Sequence, residues 1–166
     1  RDDIHIFSPV PLEAYDDIQG EDTAFLILGG SANHRKQAKD YHLENVKFLD
    51  TTSDISLIHK FLNTLNVYAH GRSDGEQCSS AIIEGLSHSL PMISHTAVSM
   101  GQLEQIGDAG VVVDGYEEYA QAMKNMMNNK NYYVDCKVNA EKRYREIYDV
   151  QSIMKKFIEL YKEVVS

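Results

Sequence analysis

No apolar stretch of this chain is long enough to span a bilayer. The longest candidate, Ala24 to Leu28, is strand-sized, against the ~20 apolar residues a transmembrane helix requires. A basic start followed by an apolar core is also missing at the N-terminus, so no secretory signal is read there. Lysine and arginine number 16 against 25 acidic residues, for a net charge of −9. That argues against a nucleic-acid surface, which needs clustered cations to neutralise phosphates, and leaves room for one small anion held locally. The two cysteines, Cys78 and Cys136, have neither metal spacing nor the density of a disulfide framework. Reduced thiols in a cytoplasmic protein are expected. The seven histidines form no H-x-x-x-H or H-E-x-x-H, so no metal site is expected. Repeats and low-complexity linkers are absent too, and 166 residues suit a single domain spanning 1–166.

What is present is alternation. Short runs rich in Val, Ile, Leu and Phe occur at Ile4 to Ser8, Ala24 to Leu28, Val46 to Leu49, Val67 to His70, Met92 to Ser94 and Val111 to Val113. They read as strands of a parallel sheet buried on both faces. Helical patterns lie between them. Leu57, Ile58, Phe61, Leu62 and Leu65 have helical spacing behind a cap at Ser53 or Asp54. Ser79 to Ser87, Met100 to Ile106 and Glu117 to Met127 fill three later gaps. The pattern predicts an α/β fold: a doubly wound, Rossmann-like parallel sheet of about six strands flanked by helices. From Tyr132 onward only helix is read, with Ile153, Phe157, Leu160, Tyr161 and Val164 on one stripe. Ordinary amphipathicity would place that stripe on the chain's own sheet.

Open α/β sheets bind ligands at the carboxyl ends of their strands, near helix N-termini. Two such places stand out. Gly29-Gly30-Ser31-Ala32-Asn33 follows one strand and allows close backbone approach; the polar loop Gly71 to Ser79 follows another. Neither contains G-x-G-x-x-G or G-x-x-x-x-G-K-[ST]. The second leads into a pair of carboxylates, Glu76 and Glu84, eight positions apart, with Pro91 a few residues beyond. A helix starting near Ser79 or Ser80 would put Glu84 about one turn in and leave Glu76 in the loop. One carboxylate can accept charge-assisted bonds from both hydroxyls of a ribose, and first-turn amides suit a diphosphate. Chance spacing of two solvated glutamates is the plain alternative.

In this setting the pair resembles the Glu-x7-Glu signature of group-1 (family 4) retaining nucleotide-sugar glycosyltransferases of GT-B fold. The resemblance extends from about Thr23 to Met127. Gly29 and Gly30 look like that family's Gly-rich turn, Val46-Lys47-Phe48-Leu49 like the strand bordering its base pocket, and Glu104 and Gly110 like its later Glu and Gly-x-Val elements. It implies that this chain is the C-terminal, donor-binding half of such an enzyme, with a second domain N-terminal to it carrying the acceptor site. It further implies hexosyl transfer with retention, a nucleotide-diphosphate sugar as donor substrate, and no cofactor or bound metal. Glu76 would lie nearest the reacting centre as the catalytic residue, and Glu84 would hold the ribose. Gly29, Gly30, Arg72, Gly75, Cys78, Ser79 and Ser80 would line the donor site. In that fold the last helices also wrap back toward the other domain, which gives the C-terminal stripe a second possible role.

The match has departures. Cys78, Ser79 and Ser80 stand where the family has an aromatic, a glycine and an aliphatic residue, and Ser89 replaces a glycine before Pro91. Ser79 and Ser80 either add polar contacts to the pocket or simply cap the helix. No Lys or Arg lies between Arg1 and Arg35, where the family supplies a basic pair for the diphosphate; Arg35, Lys36 or Arg72 would have to substitute. Two rival readings follow: a non-catalytic binding or assembly module that keeps the fold, and another GT-B enzyme such as a nucleotide-sugar epimerase.

Overall fold

Five short strands run parallel in a computed structural model of the chain, which describes residues 8–72, 77–96 and 101–165. β1 (Phe25–Leu28) pairs with β2 (Val46–Leu49), and β3 (Tyr68–Ala69), β4 (Met92–His95) and β5 (Gly110–Val113) form a second ladder in the order β3-β4-β5. The run Ile4 to Ser8 lies outside the described residues except for Ser8, whose N–H donates to the Gly71 carbonyl at 3.0 Å. The five described strands match the predicted ones within a residue or two.

Eight α-helices occur among the described residues: α1 (Val10–Asp16), α2 (Ala32–Asp40), α3 (Ile55–Thr64), α4 (Ser80–Ser87), α5 (Gly101–Ile106), α6 (Gly115–Asn128), α7 (Lys130–Arg143) and α8 (Val150–Val165). Local chemistry sets their starts. The Asp54 carboxylate caps α3 by accepting from Ser56 N–H at 2.8 Å and Leu57 N–H, satisfying donors that have no intrahelical partner. Ser31 and His34 form a reciprocal capping box at α2. Asn129 caps α7 through Tyr132 N–H at 3.1 Å.

The helices cover the β3-β4-β5 ladder from both sides. α6 brings Tyr119, Ala120, Met123 and Met126 together with Ile93, Ala14 of α1 and Cys136 of α7 in one buried cluster. α4, α5 and α7 supply Ile82, Leu86, Ile106 and Ala140 to a second cluster around Met92. β4, enclosed by both, is buried at every position, whereas β2 alternates half-buried Val46 and Phe48 with exposed Lys47 and Leu49. Burial on both faces therefore holds for the central strand and not for β2, whose outer face meets water. At Gly110 the packing is so close that a Cβ would overlap the main-chain carbonyl of Met92.

The C-terminal stripe does not pack on the sheet. After a π-helical segment (Tyr144–Tyr148), α8 rests mainly against that segment. No α8 residue is buried, and Phe157, Leu160, Tyr161 and Val164 are all exposed. The reason is steric: both faces of the ladder are already occupied by α4, α5 and α6.

Candidate functional site

Parallel pairing brings the loops after β1 and β2 to one end of the first ladder and those after β3, β4 and β5 to one end of the second. After β1 comes Gly29, with a left-handed φ of +74°, a conformation that costs other residues about 1–2 kcal/mol. A Cβ there would also sit 2.9 Å from Thr51 Oγ1. At Gly30 a Cβ would lie 2.7 Å from Phe48 Cδ1 and 2.9 Å from Ile27 Cγ2. The two glycines thus let the chain turn tightly over β2 into the start of α2 at Ser31. Arg35, one turn into α2, places its guanidinium 4.6 Å from the centre of the Phe48 ring, a cation–π contact.

After β3, His70 is buried, and its Nδ1 lies 2.9 Å from the fully buried Ser94 Oγ. Tyr119 Oη reaches the carbonyls of His70 (3.1 Å) and Ile93 (2.9 Å), a shared bond that ties the ends of β3 and β4. Burial holds this phenol well above its ordinary pKa of 10.0, so it remains a neutral donor. Arg72 is half-buried. Gly75 and Glu76 lie outside the described residues.

The described residues continue from Gln77, and α4 begins at Ser80 with Ser79 as its N-cap. Ser79 is buried and Cys78 and Ser80 are exposed. The Ser79 side chain makes no capping bond. Instead the carboxamide of Gln105, on α5, clasps its main chain. Oε1 accepts from Ser79 N–H at 2.6 Å, while Nε2 donates to Ser79 O at 3.2 Å and reaches Cys78 Sγ at 3.5 Å. The first rung of α4 runs from Ile83 N–H to Ser79 O, which leaves the N–H groups of Ser80, Ala81 and Ile82 outside the helical ladder. Glu84 is the fifth residue of α4 and exposed, one turn in from that start. It lies close enough to His88 to raise the pKa of that imidazole, against the stronger lowering by burial and His59.

The ends of β4 and β5 are also joined, by the Thr96 hydroxyl donating to Asp114 Oδ1 at 2.9 Å. His95 is buried beside them, and burial is the main cause of its lowered pKa. Among the described residues its Nε2 and the Oε1 of buried Gln102 have no hydrogen-bond partner, although Gln102 Nε2 donates to the His95 carbonyl at 3.1 Å.

Of the residues expected to line a donor site, Cys78, Ser79, Ser80 and Glu84 come together at the start of α4, and Gly29 and Gly30 adjoin the start of α2. Gln105 carried no signal in the sequence: a lone glutamine in a short helix has no motif. Glu104 points its carboxylate outward, and its carbonyl is what the structure uses, as an acceptor for Arg143. Among the described residues no group of three or more His, Cys, Asp or Glu is arranged to hold a metal ion. Within the same residues no helix is long and apolar enough to cross a membrane.

Comparison with known proteins gives the same architecture. The chain superimposes on HepE from Anabaena, solved in complex with UDP, with a TM-score of 0.80 and 18% identity over 98% of this chain and 47% of that one. It superimposes on sucrose-phosphate synthase from Thermosynechococcus elongatus with a TM-score of 0.76 and 18% identity, over 99% of this chain and 44% of that one. For a glycosyltransferase from Rickettsia africae the TM-score is 0.72 with 18% identity, over 95% and 44%. The chain thus spans less than half the length of these structures. No curated protein sequence matches it. The profile of one family, Glycosyl transferases group 1, matches residues 10–143. With that profile covering most of its length, the chain belongs to the group 1 glycosyl transferases.

Proposed function

We propose that this chain is the donor-binding half of a retaining glycosyltransferase that takes a hexose from a nucleotide-diphosphate sugar. The observation that carries this reading is Glu84, exposed one turn into a helix whose N-terminus opens at the carboxyl edge of a parallel sheet. The Glu84 carboxylate accepts hydrogen bonds from both ribose hydroxyls, a charge-assisted pair. The N–H groups of Ser80, Ala81 and Ile82, outside the helical ladder at the positive end of the α4 dipole, face the diphosphate. Gly29 and Gly30 let main chain approach the same ligand, and Arg72 adds positive charge. Glu76, eight residues before Glu84, contacts the sugar. The protein's contribution to catalysis is to position the donor and to stabilise the charge that builds on the leaving diphosphate.

The three structures named above are each more than twice the length of this chain, and HepE is solved with UDP and with UDP-glucose. On that basis a second domain supplies the acceptor site, and the enzyme works in the cytoplasm, where Cys78 and Cys136 stay reduced. Calorimetric titration of the chain with UDP, GDP and ADP tests the reading. Saturable binding of one of them supports it; no binding of any would remove the donor-site assignment and leave a non-catalytic module of the same fold.

A further inference from the structure

We propose that Gln105 is a positioning residue for the donor: it fixes the Cys78–Ser79 main chain and thereby the direction in which the first-turn amides of α4 point. This rests on the donor-site reading given above. A helix N-cap normally satisfies the first-turn donors with its own side chain. Here the Ser79 hydroxyl makes no such bond. A carboxamide 26 residues away holds both polar atoms of the Ser79 main chain, at 2.6 Å and 3.2 Å, and touches the Cys78 sulfur. Neither peptide plane flanking Ser79, the one carrying its N–H or the one carrying its carbonyl, can therefore rotate without breaking a buried bond. The amide of Ser80 lies in the second of those planes, and those of Ala81 and Ile82 follow it.

Gln105 is itself held. It is buried, and its carbonyl accepts from Arg143 Nε at 2.6 Å, while another guanidinium nitrogen of Arg143 donates to the Glu104 carbonyl. The guanidinium fits because residue 107 is glycine: φ there is +49°, and a Cβ would lie 2.7 Å from Arg143 Nη1. One turn back along α7, Asn139 Nδ2 donates to the Asp108 carbonyl at 3.1 Å. The end of α5 is thus anchored to α7, and Gln105 relays that anchorage to the start of α4. Filling space alone would not call for a group with one donor and one acceptor set against the donor and acceptor of a single residue.

The test uses two variants. Gln105→Met keeps the length and removes both polar functions. Gln105→Glu keeps them only when its carboxyl is protonated, with C=O accepting from Ser79 N–H and O–H donating to Ser79 O; ionised, it opposes the Ser79 carbonyl. Burial raises a carboxyl pKa, so this switch falls on the acid side of neutrality. Affinity for whichever of UDP, GDP or ADP the parent binds is measured from pH 7.5 to 5.5, together with thermal melting and amide exchange at Ser79. The expected result is about a tenfold or greater loss of affinity in Gln105→Met, the size expected when a hydrogen bond from these amides to a charged phosphate is lost, with faster exchange at Ser79. Gln105→Glu should lose affinity at pH 7.5 and regain it, relative to the parent at each pH, as pH falls. Parent-like affinity in Gln105→Met, or a Gln105→Glu deficit that does not change with pH, would overturn the positioning role and leave Gln105 a packing residue. If the parent itself binds none of the three nucleotides, the donor-site reading fails first and this role fails with it.

Discussion

His59 on α3 and His88 at the end of α4 meet ring nitrogen to ring nitrogen, Nδ1 to Nε2, at 2.7 Å. The other nitrogen of His88, Nδ1, is 2.8 Å from Asn63 Oδ1. An amide oxygen only accepts, so His88 Nδ1 carries a proton; with His88 neutral its Nε2 is then a bare acceptor, and His59 donates to it. That arrangement requires neutral His88. Burial and the facing His59 both lower the His88 pKa from its ordinary 6.5, with Glu84 opposing them.

The sign of the pH dependence follows. A histidine whose folded pKa is depressed binds its proton more readily once unfolded, so its stabilising contribution is complete above pH 6.5 and is lost as pH falls through the folded value. His34 and His95 are shifted in the same direction, both by burial. The melting temperature should fall between pH 7.5 and 5.5, and the fall should be smaller in His88→Gln. Equal slopes in the two proteins would show that the His59–His88 contact does not couple protonation to stability.

Close packing makes a second, sharper prediction. Gly110→Ala drives a methyl into the Met92 carbonyl, and the backbone of β4 has no room to yield. A cost of about 3 kcal/mol or more is expected for such overpacking, or roughly 6–12 °C in melting temperature for a domain of this size. Gly20→Ala is the control, since nothing lies within 4 Å of its Cβ position. It should be nearly neutral. Similar melting temperatures for the two variants would contradict the geometry at β5.

Much of this fold was legible in the residues, for reasons that also explain what was not. Hydrophobic strands between turn residues identified β1 to β5, and Asp54 announced the start of α3. α2 was invisible to periodicity because Ala38 is its only buried residue; a capping box makes it, not an apolar face. α1 was missed for a different reason: it is seven residues long and begins among prolines. Near the candidate site, a helix start at Ser79–Ser80 with Glu84 one turn in could be read from spacing, while the contact between Gln105 and Ser79 joins residues that share no pattern. The stripe on α8 was read correctly as a stripe, but amphipathicity alone does not say which surface covers it.

Activity should require more than this chain. A glycosyl transfer site must exclude water and align two substrates, which the proposed second domain would do on closing. Purified alone, the chain is expected to bind donor and to transfer no sugar to any acceptor offered with it. Sustained transfer by the isolated chain would refute the two-domain division of labour.

The central claim is that Glu84 holds the ribose of a nucleotide sugar, and calorimetry on Glu84→Ala addresses it most directly. Glu84 is exposed, so the substitution should leave the melting curve within about 0.5 kcal/mol of the parent. Loss of a charged two-hydroxyl contact should weaken binding of the nucleotide by about 2–3 kcal/mol, or roughly 30- to 150-fold. A variant that folds as the parent does and binds every nucleotide with unchanged affinity would remove Glu84 from the site and contradict the account.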